Sequence, residues 1–258
     1  MKVVHLSDLH LPEPGQRLWG LDAYGRTEQA LQDICRWHAD ADLCVISGDL
    51  ADRGAKGAYR WLERQVAHLP FETVLMVGNH DDRSAMRETL PNLMDDGNGF
   101  VQGIRRTPHG MLVFLDTFKD GTSPGQYCDV RLAWLRRALA EADGPIRIFM
   151  HHPPCDIGIP YMDRIKLEEA EAFAEALRGY EIAHLFFGHV HRACFLTWEG
   201  IPCNALPGIN HQVPLTRESV ATRYSVEPPM YGLIWLDGAQ TTVHLDAFMD
   251  RTPADMPE

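Results

Sequence analysis

The sequence Val45-Ile46-Ser47-Gly48-Asp49-Leu50-Ala51-Asp52 contains a buried strand that ends in a polar turn. The apolar run from Leu43 to Ile46 is typical of a strand covered on both faces. The dipeptide Ser47-Gly48 predicts the turn that follows this strand. Asp49 therefore lies just beyond the carboxyl end of a strand, which is where open α/β sheets bind their ligands.

Four other strand-like runs end in the same way, with polar side chains directly after the last apolar residue. They are Val3–Leu6 before Asp8 and His10, Val74–Val77 before Asn79 and His80, Ile146–Met150 before His151, and Leu185–Phe187 before His189 and His191. If these strands belong to one α/β fold, their carboxyl ends meet at one edge. We therefore expect Asp, Asn and His side chains from five strand ends to converge there.

The side chains at this predicted edge offer carboxylate oxygen, amide oxygen and imidazole nitrogen, and no thiolate. These are donors that hard and borderline divalent cations accept. The seven candidate metal ligands are Asp8, His10, Asp49, Asn79, His151, His189 and His191. Seven donors exceed the four of a tetrahedral zinc site, so the sequence predicts two ions that share Asp49 as a bridge. Two ions about 3.5–4 Å apart can activate water and clamp an in-line displacement, which predicts a hydrolase.

Composition narrows the class of substrate. The chain has 258 residues, which suits one α/β domain, and its 24 Lys and Arg against 36 Asp and Glu give a net charge of -12. This balance argues against general nucleic-acid binding, which requires a basic surface. A phosphate substrate remains compatible, because bound cations reverse the local field. The six Cys form no C-x-x-C pair, and no signal peptide or membrane span is recognisable, so we expect a cytoplasmic protein with reduced thiols.

Strands and helices are predicted to alternate up to about His191, and strands without helices follow. Helices are predicted at 26–38, 55–69, 84–90, 130–142 and 166–178, and later strands at 193–198, 201–206, 231–236 and 241–245. The dipeptides Glu199-Gly200 and Asp237-Gly238 predict hairpins. We expect a single domain over 1–258, with a metal-binding α/β core at 1–192 and a C-terminal antiparallel β segment with a rim loop at 193–258. The long segment 207–229 is either a rim over the site or a plain surface loop.

The polar turns resemble a known family. Asp8-x-His10, Gly48-Asp49-x-x-Asp52, Gly78-Asn79-His80-Asp81, His151-His152-Pro153-Pro154 and Gly188-His189-x-His191 resemble the five sequence blocks of calcineurin-like metallophosphoesterases. Their order and spacing are most similar to class III cyclic-nucleotide phosphodiesterases and bacterial glycerophosphodiesterases. The resemblance implies a four-layer αββα sandwich and a possible homodimer through the C-terminal segment.

The same resemblance implies roles for individual residues. It assigns one metal to Asp8, His10 and His191, the other to Asn79, His151 and His189, and the bridge to Asp49. It implies that His80, Asn79 and His191 contact the substrate. His80 and Asp49 are the implied catalytic residues, with His80 contacting the phosphate or protonating the leaving alkoxide. The donors do not select among Fe, Mn, Zn and Co.

Several neighbouring residues have more than one interpretation. Asp52 either ligates a metal, orients a histidine or caps the next helix, and Asp81 has a similar supporting role. His152 is an alternative to His151, because only one of two adjacent side chains in an extended segment can face the metals. His5 is expected in the core, and His211 is a candidate for substrate contact. Residues expected to be ordinary are His38, His68, His109, His184 and His244, with Trp37, Trp61 and Trp134 in the core.

The predicted function is a dinuclear metal-dependent phosphodiesterase in which a metal-bound hydroxide attacks phosphorus. The expected substrate is a small phosphodiester, first a cyclic nucleotide such as 3',5'-cyclic AMP and second a glycerophosphodiester. A nuclease or a lipid-precursor pyrophosphatase on the same core is an alternative, although the first needs a basic groove and the second an apolar entrance. A non-catalytic scaffold is the alternative from another class of protein.

Overall fold

Two β-sheets form the centre of the molecule in the computed structural model, which describes residues 1–215 and 224–249. The first sheet contains β1 (Lys2–Leu6), β2 (Leu43–Ile46), β3 (Glu72–Leu75), β10 (Met230–Asp237) and β11 (Gln240–Ala247). Its strand order is β11-β10-β1-β2-β3, and β1, β2 and β3 run parallel. Their carboxyl ends therefore lie along one edge of the sheet.

The second sheet has six strands in the order β4-β5-β6-β7-β9-β8. These strands are β4 (Gly103–Thr107), β5 (Gly110–Phe114), β6 (Ile146–Met150), β7 (Ile182–Phe187), β8 (Cys194–Trp198) and β9 (Ile201–Ala205). Strands β6 and β7 pair in parallel, so the residues that follow Met150 and Phe187 leave the sheet at the same edge.

Helices cover the outer face of each sheet. They are α1 (Ala23–Trp37), α2 (Lys56–Val66), α3 (Arg83–Thr89), α4 (Asp129–Ala140), α5 (Pro160–Asp163) and α6 (Ala170–Leu177). Residues of α1, α2 and α3 pack in one core against the first sheet, and residues of α4 and α6 pack in another against the second. Asp22 and Asp82 begin α1 and α3 by accepting backbone hydrogen bonds from Gly25 and Ala85, as N-cap residues do.

A third apolar core lies between the sheets. Val45 of β2, Phe149 of β6 and Phe186 of β7 belong to it, and the rings of Phe149 and Phe186 stack with centroids 4.6 Å apart. Helix, sheet, sheet and helix thus form four layers. The predicted αββα sandwich is confirmed.

The two predicted C-terminal hairpins form, but they join different sheets. Strand β9 pairs with β7 in parallel, and β10 pairs with β1 in the antiparallel sense. Hairpin turn residues predict which strands are consecutive, but only tertiary packing decides which third strand each hairpin joins. The division into a core at 1–192 and a segment at 193–258 stays a prediction.

Some element boundaries differ from those predicted. The helix expected at 166–178 begins at Ala170, and strand β4, with only half-buried and exposed residues, was not predicted. The core position predicted for Trp37 is wrong, because its side chain is 48% exposed. Trp37 is the last residue of α1, and the guanidinium of Arg36 lies 4.8 Å from its ring centroid.

Within the described ranges, no helix is both long enough and apolar enough to cross a bilayer. The predicted rim loop at 207–229 falls partly outside the description, since residues 216–223 are not described. Its described part includes His211, which is buried beside the ends of β1 and β7.

Candidate metal centre

Asp49 lies at the centre of a cluster of polar side chains at the shared edge of the two sheets. Its Oδ2 atom is 3.3 Å from His10 Nε2 and 3.4 Å from His151 Nε2. Its Oδ1 atom accepts a hydrogen bond of 2.7 Å from the backbone N–H of His80. The Asp49 carboxylate, which follows β2, therefore contacts one histidine that follows β1 of the first sheet and one that follows β6 of the second.

Two groups of side chains flank Asp49. On one side, Asn79 Oδ1 is 3.2 Å from His151 Nε2 and 2.8 Å from His189 Nδ1. On the other side, Asp8 Oδ1 is 3.2 Å from His191 Nε2. His10 Nε2 lies 3.0 Å from His191 Nε2. All seven residues predicted as metal ligands thus lie together, in two groups that share the Asp49 carboxylate.

Unusual backbone conformations aim these side chains at the centre. Asp8, His10, Asp49, His189 and His191 all have positive φ values, between 45° and 66°. A non-glycine residue seldom occupies this left-handed region, and clusters of such residues mark functional sites. The strand ends therefore hold a strained geometry that the surrounding packing must stabilise.

Glycines in the same turns permit a close approach of backbone and side chains. A Cβ atom added to Gly78 would lie 2.3 Å from both the backbone N and Oδ1 of Asp49. A Cβ atom added to Gly188 would lie 1.9 Å from Ser7 Oγ. Gly78 and Gly188, two of the three glycines of the sequence blocks, are thus required by space.

We predict that Gly78→Ala disturbs the cluster. The added methyl group must displace Asp49, and overpacking of this kind costs about 1–3 kcal/mol. We expect a lower Tm and a marked loss of the predicted phosphodiesterase activity. Gly144→Ala is the matched control, because the nearest atom to its added Cβ lies 3.8 Å away. Equal Tm and activity for the two variants would contradict the crowding argument.

The hydrogen bonds of the histidines test whether a cation fits this cluster. His151 Nδ1 donates to the carbonyl of Ser47 at 2.9 Å, and His191 Nδ1 donates to the carbonyl of His211 at 2.9 Å. In a neutral ring the Nε2 atom then carries a lone pair. For His151 this lone pair faces the oxygens of Asp49 and Asn79, which are also acceptors. Only a proton or a cation between such atoms removes the repulsion, so the donors fit a metal ion.

Charge interactions within the cluster are strong. Burial alone would raise the pKa of Asp49, but the neighbouring His151, His80 and His10 hold it well below its ordinary value. Burial alone would lower the pKa of His151, but the Asp49 carboxylate raises it to about 9. Burial lowers the pKa of His10 to about 4 despite the Asp49 charge. At neutral pH the Asp49 carboxylate is ionised and His10 is neutral, which are the forms that bind metals, whereas His151 carries a proton that a bound cation would displace.

His80 lies at the open side of the cluster. Its Nδ1 donates to Asp52 Oδ1 at 3.1 Å. Burial lowers the pKa of His80, but the Asp49 charge and the Asp52 hydrogen bond raise it to about 9. Helix α2 begins without a side-chain cap, so Asp52 orients a histidine and does not cap this helix. A cationic His80 can stabilise negative charge on a substrate.

Asp81 supports the backbone of the neighbouring turn. Its carboxylate accepts hydrogen bonds from the N–H groups of Leu50, Ala51 and Gly78 and from the Tyr59 hydroxyl, at 2.9–3.1 Å. These contacts fasten the Asp49 turn to the Asn79 turn. The supporting role predicted for Asp81 is confirmed.

The adjacent histidines 151 and 152 point in different directions. His152 Nε2 donates to the carbonyl of Ser123 at 3.1 Å, and its Nδ1 accepts from the Thr117 hydroxyl at 2.7 Å. Both of its nitrogens therefore bind protein groups, although His152 also belongs to a cluster with His151 and His189. Only His151 faces Asp49 and Asn79.

His5 and His211, also named in the sequence analysis, are both buried. His5 is fully buried and its Nε2 lies 2.8 Å from Ser47 Oγ, so its predicted core position is confirmed. His211 packs against His191, with ring centroids 4.1 Å apart. Among residues 1–215 and 224–249, the metal-ligand clusters include none of the histidines expected to be ordinary.

A small cavity of about 50 Å³ opens over the cluster. Its lining includes Trp19, Tyr161 and Tyr224, which the sequence analysis did not single out as site residues. Trp19 and Tyr161 do not directly follow a predicted strand, so the strand-end pattern does not mark them. The only signal near Trp19 is Gly20, because glycine often marks a turn.

Comparison with known proteins agrees with this geometry. Residues 1–193 match the calcineurin-like phosphoesterase family. Because this match covers about three quarters of the chain, the protein belongs to the calcineurin-like phosphoesterase family. The resemblance inferred from the five sequence blocks is confirmed.

Two relatives of the chain are named as phosphodiesterases. The chain is 38% identical to a probable cyclic nucleotide phosphodiesterase of Rhodopseudomonas palustris over 261 residues, covering 98% of this chain and 94% of the relative. It is 28% identical to a glycerophosphodiester phosphodiesterase of Enterobacter lignolyticus over 235 residues, covering 89% and 84%. The family and these relatives confirm the prediction of a metal-dependent phosphodiesterase.

A solved structure supports the fold alone. A purple acid phosphatase from yellow lupin seeds superposes with a TM-score of 0.70 at 12% identity. The alignment covers 99% of this chain and 52% of the phosphatase. This likeness shows that the two proteins share the sandwich architecture.

Proposed function

We propose that the protein hydrolyses a small phosphodiester at a centre of two divalent cations, and that its substrate is a cyclic nucleotide such as 3',5'-cyclic AMP. The observation that carries this proposal is the convergence of seven donors into two groups on either side of Asp49. One tetrahedral ion would leave several of these donors unused. Two ions sharing a carboxylate account for all seven.

The proposed ligands follow from the two groups. Asp8, His10 and His191 would hold one cation, Asn79, His151 and His189 would hold the other, and Asp49 would serve both. Bound divalent cations supply Lewis acidity and lower the pKa of coordinated water. The residues of the chain contribute position, because the hydrogen bonds of His151 to Ser47 and of His191 to His211 fix the ring orientations, as supporting contacts of metal ligands do.

Charge favours a phosphate at this site. Two divalent cations bring four positive charges, and Asp8 and Asp49 bring two negative ones, so the site is positive within a chain of net charge -12. His80 is placed to bind a phosphate oxygen, and its proton is available for the leaving alkoxide. Asn79 and His191 also line the cavity and complete the proposed substrate contacts.

Two observations favour a cyclic nucleotide over a glycerophosphodiester. The relative from Rhodopseudomonas palustris is more similar to this chain than the glycerophosphodiesterase is, 38% against 28% identity. The mouth of the cavity also contains aromatic side chains, and flat rings can stack on the base of a nucleotide. A glycerophosphodiester remains the second candidate substrate.

A substrate panel tests this proposal. Mn(II)-loaded protein should hydrolyse bis-p-nitrophenyl phosphate, and its kcat/KM for 3',5'-cyclic AMP should exceed that for glycerophosphoethanolamine by about tenfold or more. A base-recognising site rejects a substrate that lacks its binding group. A higher kcat/KM for the glycerol diester would make the second candidate correct. Absence of diester hydrolysis in a protein that retains metal would contradict both and favour a scaffold.

The number and identity of the ions are open to direct measurement. Metal analysis by mass spectrometry on the purified protein should find two divalent ions per chain, from among Fe, Mn, Zn and Co. A non-catalytic scaffold need not retain them. The homodimer through the C-terminal segment stays a prediction.

A further inference from the structure

Two aromatic side chains stack on each other at the mouth of the cavity. The rings of Trp19 and Tyr224 are 3.9 Å apart between centroids, with an interplanar angle of 18°. Trp19 is 47% exposed and Tyr224 is 45% exposed. Trp19 lies in the loop between β1 and α1, and Tyr224 lies in the segment before β10. Two distant parts of the chain thus build one aromatic surface, a pair of stacked rings that is about half exposed to solvent.

The backbone at Trp19 is strained. Leu18 and Leu21 exchange two backbone hydrogen bonds, of 3.2 and 2.9 Å, so Trp19 and Gly20 are the central residues of a tight turn. Both have positive φ, 50° and 79°, which is the pattern of a type I′ turn. Asn, Asp or Gly is normally preferred at the first of these positions. Backbone outliers of this kind cluster at ligand-binding and active sites, where the surrounding structure holds them.

His211 connects this aromatic surface to the metal centre. Its ring centroid is 4.4 Å from that of Trp19 and 4.7 Å from that of Tyr224, and it meets both rings edge-on. On its other side, His211 is 4.1 Å from the ring of His191. The aromatic surface therefore lies two ring contacts from a proposed metal ligand. A ligand whose phosphate is at the metals can reach it only through a spacer, as a ribose provides.

We propose that Trp19 and Tyr224 form the base-binding surface of the enzyme and determine its preference for nucleotide over glycerol diesters. This inference rests on the proposed function, since it requires the phosphate to bind at the metal centre. Every nucleobase has a face that can stack on an aromatic ring. Glycerol has no such face, so Trp19 and Tyr224 discriminate between the two candidate substrates.

The geometry argues against a site for a quaternary ammonium group. Cation recognition uses several ring faces around one charge. Here Trp19 and Tyr224 cover one face of each other, and His211 contributes an edge. The outer face of a stacked pair suits a planar group, whereas a methylated ammonium ion needs an enclosing cage.

Trp19→Asn is the sharpest test, because Asn suits the turn and cannot stack. We expect KM for 3',5'-cyclic AMP to rise about tenfold or more, with kcat within about twofold. The kcat/KM for glycerophosphoethanolamine and the Tm should not fall. Trp19→Phe should keep most of the nucleotide affinity. Trp37→Ala, which alters another half-exposed tryptophan outside the cavity lining, should change none of these values.

A phosphate-free probe separates this inference from the proposed function. Adenosine should quench the tryptophan fluorescence of the wild type more than that of Trp19→Phe, even if no diester is hydrolysed. Equal losses on both diesters with a lower Tm would give Trp19 a structural role and overturn the inference. A selective loss on glycerophosphocholine would replace base stacking by cation binding. Failure of the wild type to hydrolyse any diester, with adenosine quenching intact, would count against the proposed function alone.

Discussion

The Asp49→Asn variant is expected to lose phosphodiesterase activity by more than about a thousandfold in kcat/KM. Removal of one pre-organised electrostatic group from an active site typically costs about 10²–10³, and Asp49 is placed between both groups of ligands. Its Oδ2 lies within 3.4 Å of histidines from the two sheets. The substitution preserves shape and removes the charge that both cations require, so metal analysis should also find fewer than two ions per chain.

The control for this variant is Asp120→Asn, which removes an exposed carboxylate from a surface turn. It should leave metal content, kcat and KM unchanged. Circular dichroism should show that both proteins are folded, because loss of structure would also abolish activity. A folded Asp49→Asn protein with wild-type turnover would show that no shared carboxylate is needed, and the proposed two-cation centre would be wrong.

The Asn79→Ala variant is expected to lose more activity than the roughly 10–100-fold that follows removal of a residue supporting a metal ligand. Its amide oxygen lies 3.2 Å from His151 Nε2 and 2.8 Å from His189 Nδ1, so its loss deprives one cation of a donor. The other cation keeps Asp8, His10 and His191. We therefore expect about one ion per chain by mass spectrometry together with the loss of kcat.

Asn79→Asp is the informative companion, because it restores an oxygen donor at the same position. It should recover two ions per chain, although its extra negative charge lowers the attraction for a phosphate. Asn98→Ala, in an exposed loop, is the neutral control. Full turnover in Asn79→Ala with both ions retained would remove Asn79 from the proposed ligands.

The arrangement of the site was largely predictable because it follows from strand ends. Each of the five polar turns comes directly after an apolar run, and parallel strands bring their carboxyl ends to one edge. Asp49, Asn79 and His151 were therefore expected together, and His151 Nε2 lies 3.4 Å from Asp49 Oδ2 and 3.2 Å from Asn79 Oδ1. Gly78 belongs to one of the five sequence blocks, and its missing side chain leaves the room that Asp49 occupies.

The parts that were not predicted depend on contacts between distant segments. Strand β4 has no clear alternation of apolar and polar residues, and its neighbour β5 supplies the pairing. The choice between His151 and His152 depends on Thr117 and Ser123, which no local pattern connects with them. Trp19 meets Tyr224 across most of the chain. Such pairings are specified by tertiary packing, which periodicity does not report.

The pairing of β1 with β10 has a consequence for how the protein is made. Lys2 lies opposite Trp235, so the strand that leads to Asp8 and His10 receives one of its two neighbours from a distant segment of the chain. During synthesis that neighbour emerges after all the strands of the second sheet. Contacts of such long sequence separation slow folding. The nascent polypeptide therefore holds an incomplete first sheet until β10 has been synthesised, and only then can β1 gain its second neighbour.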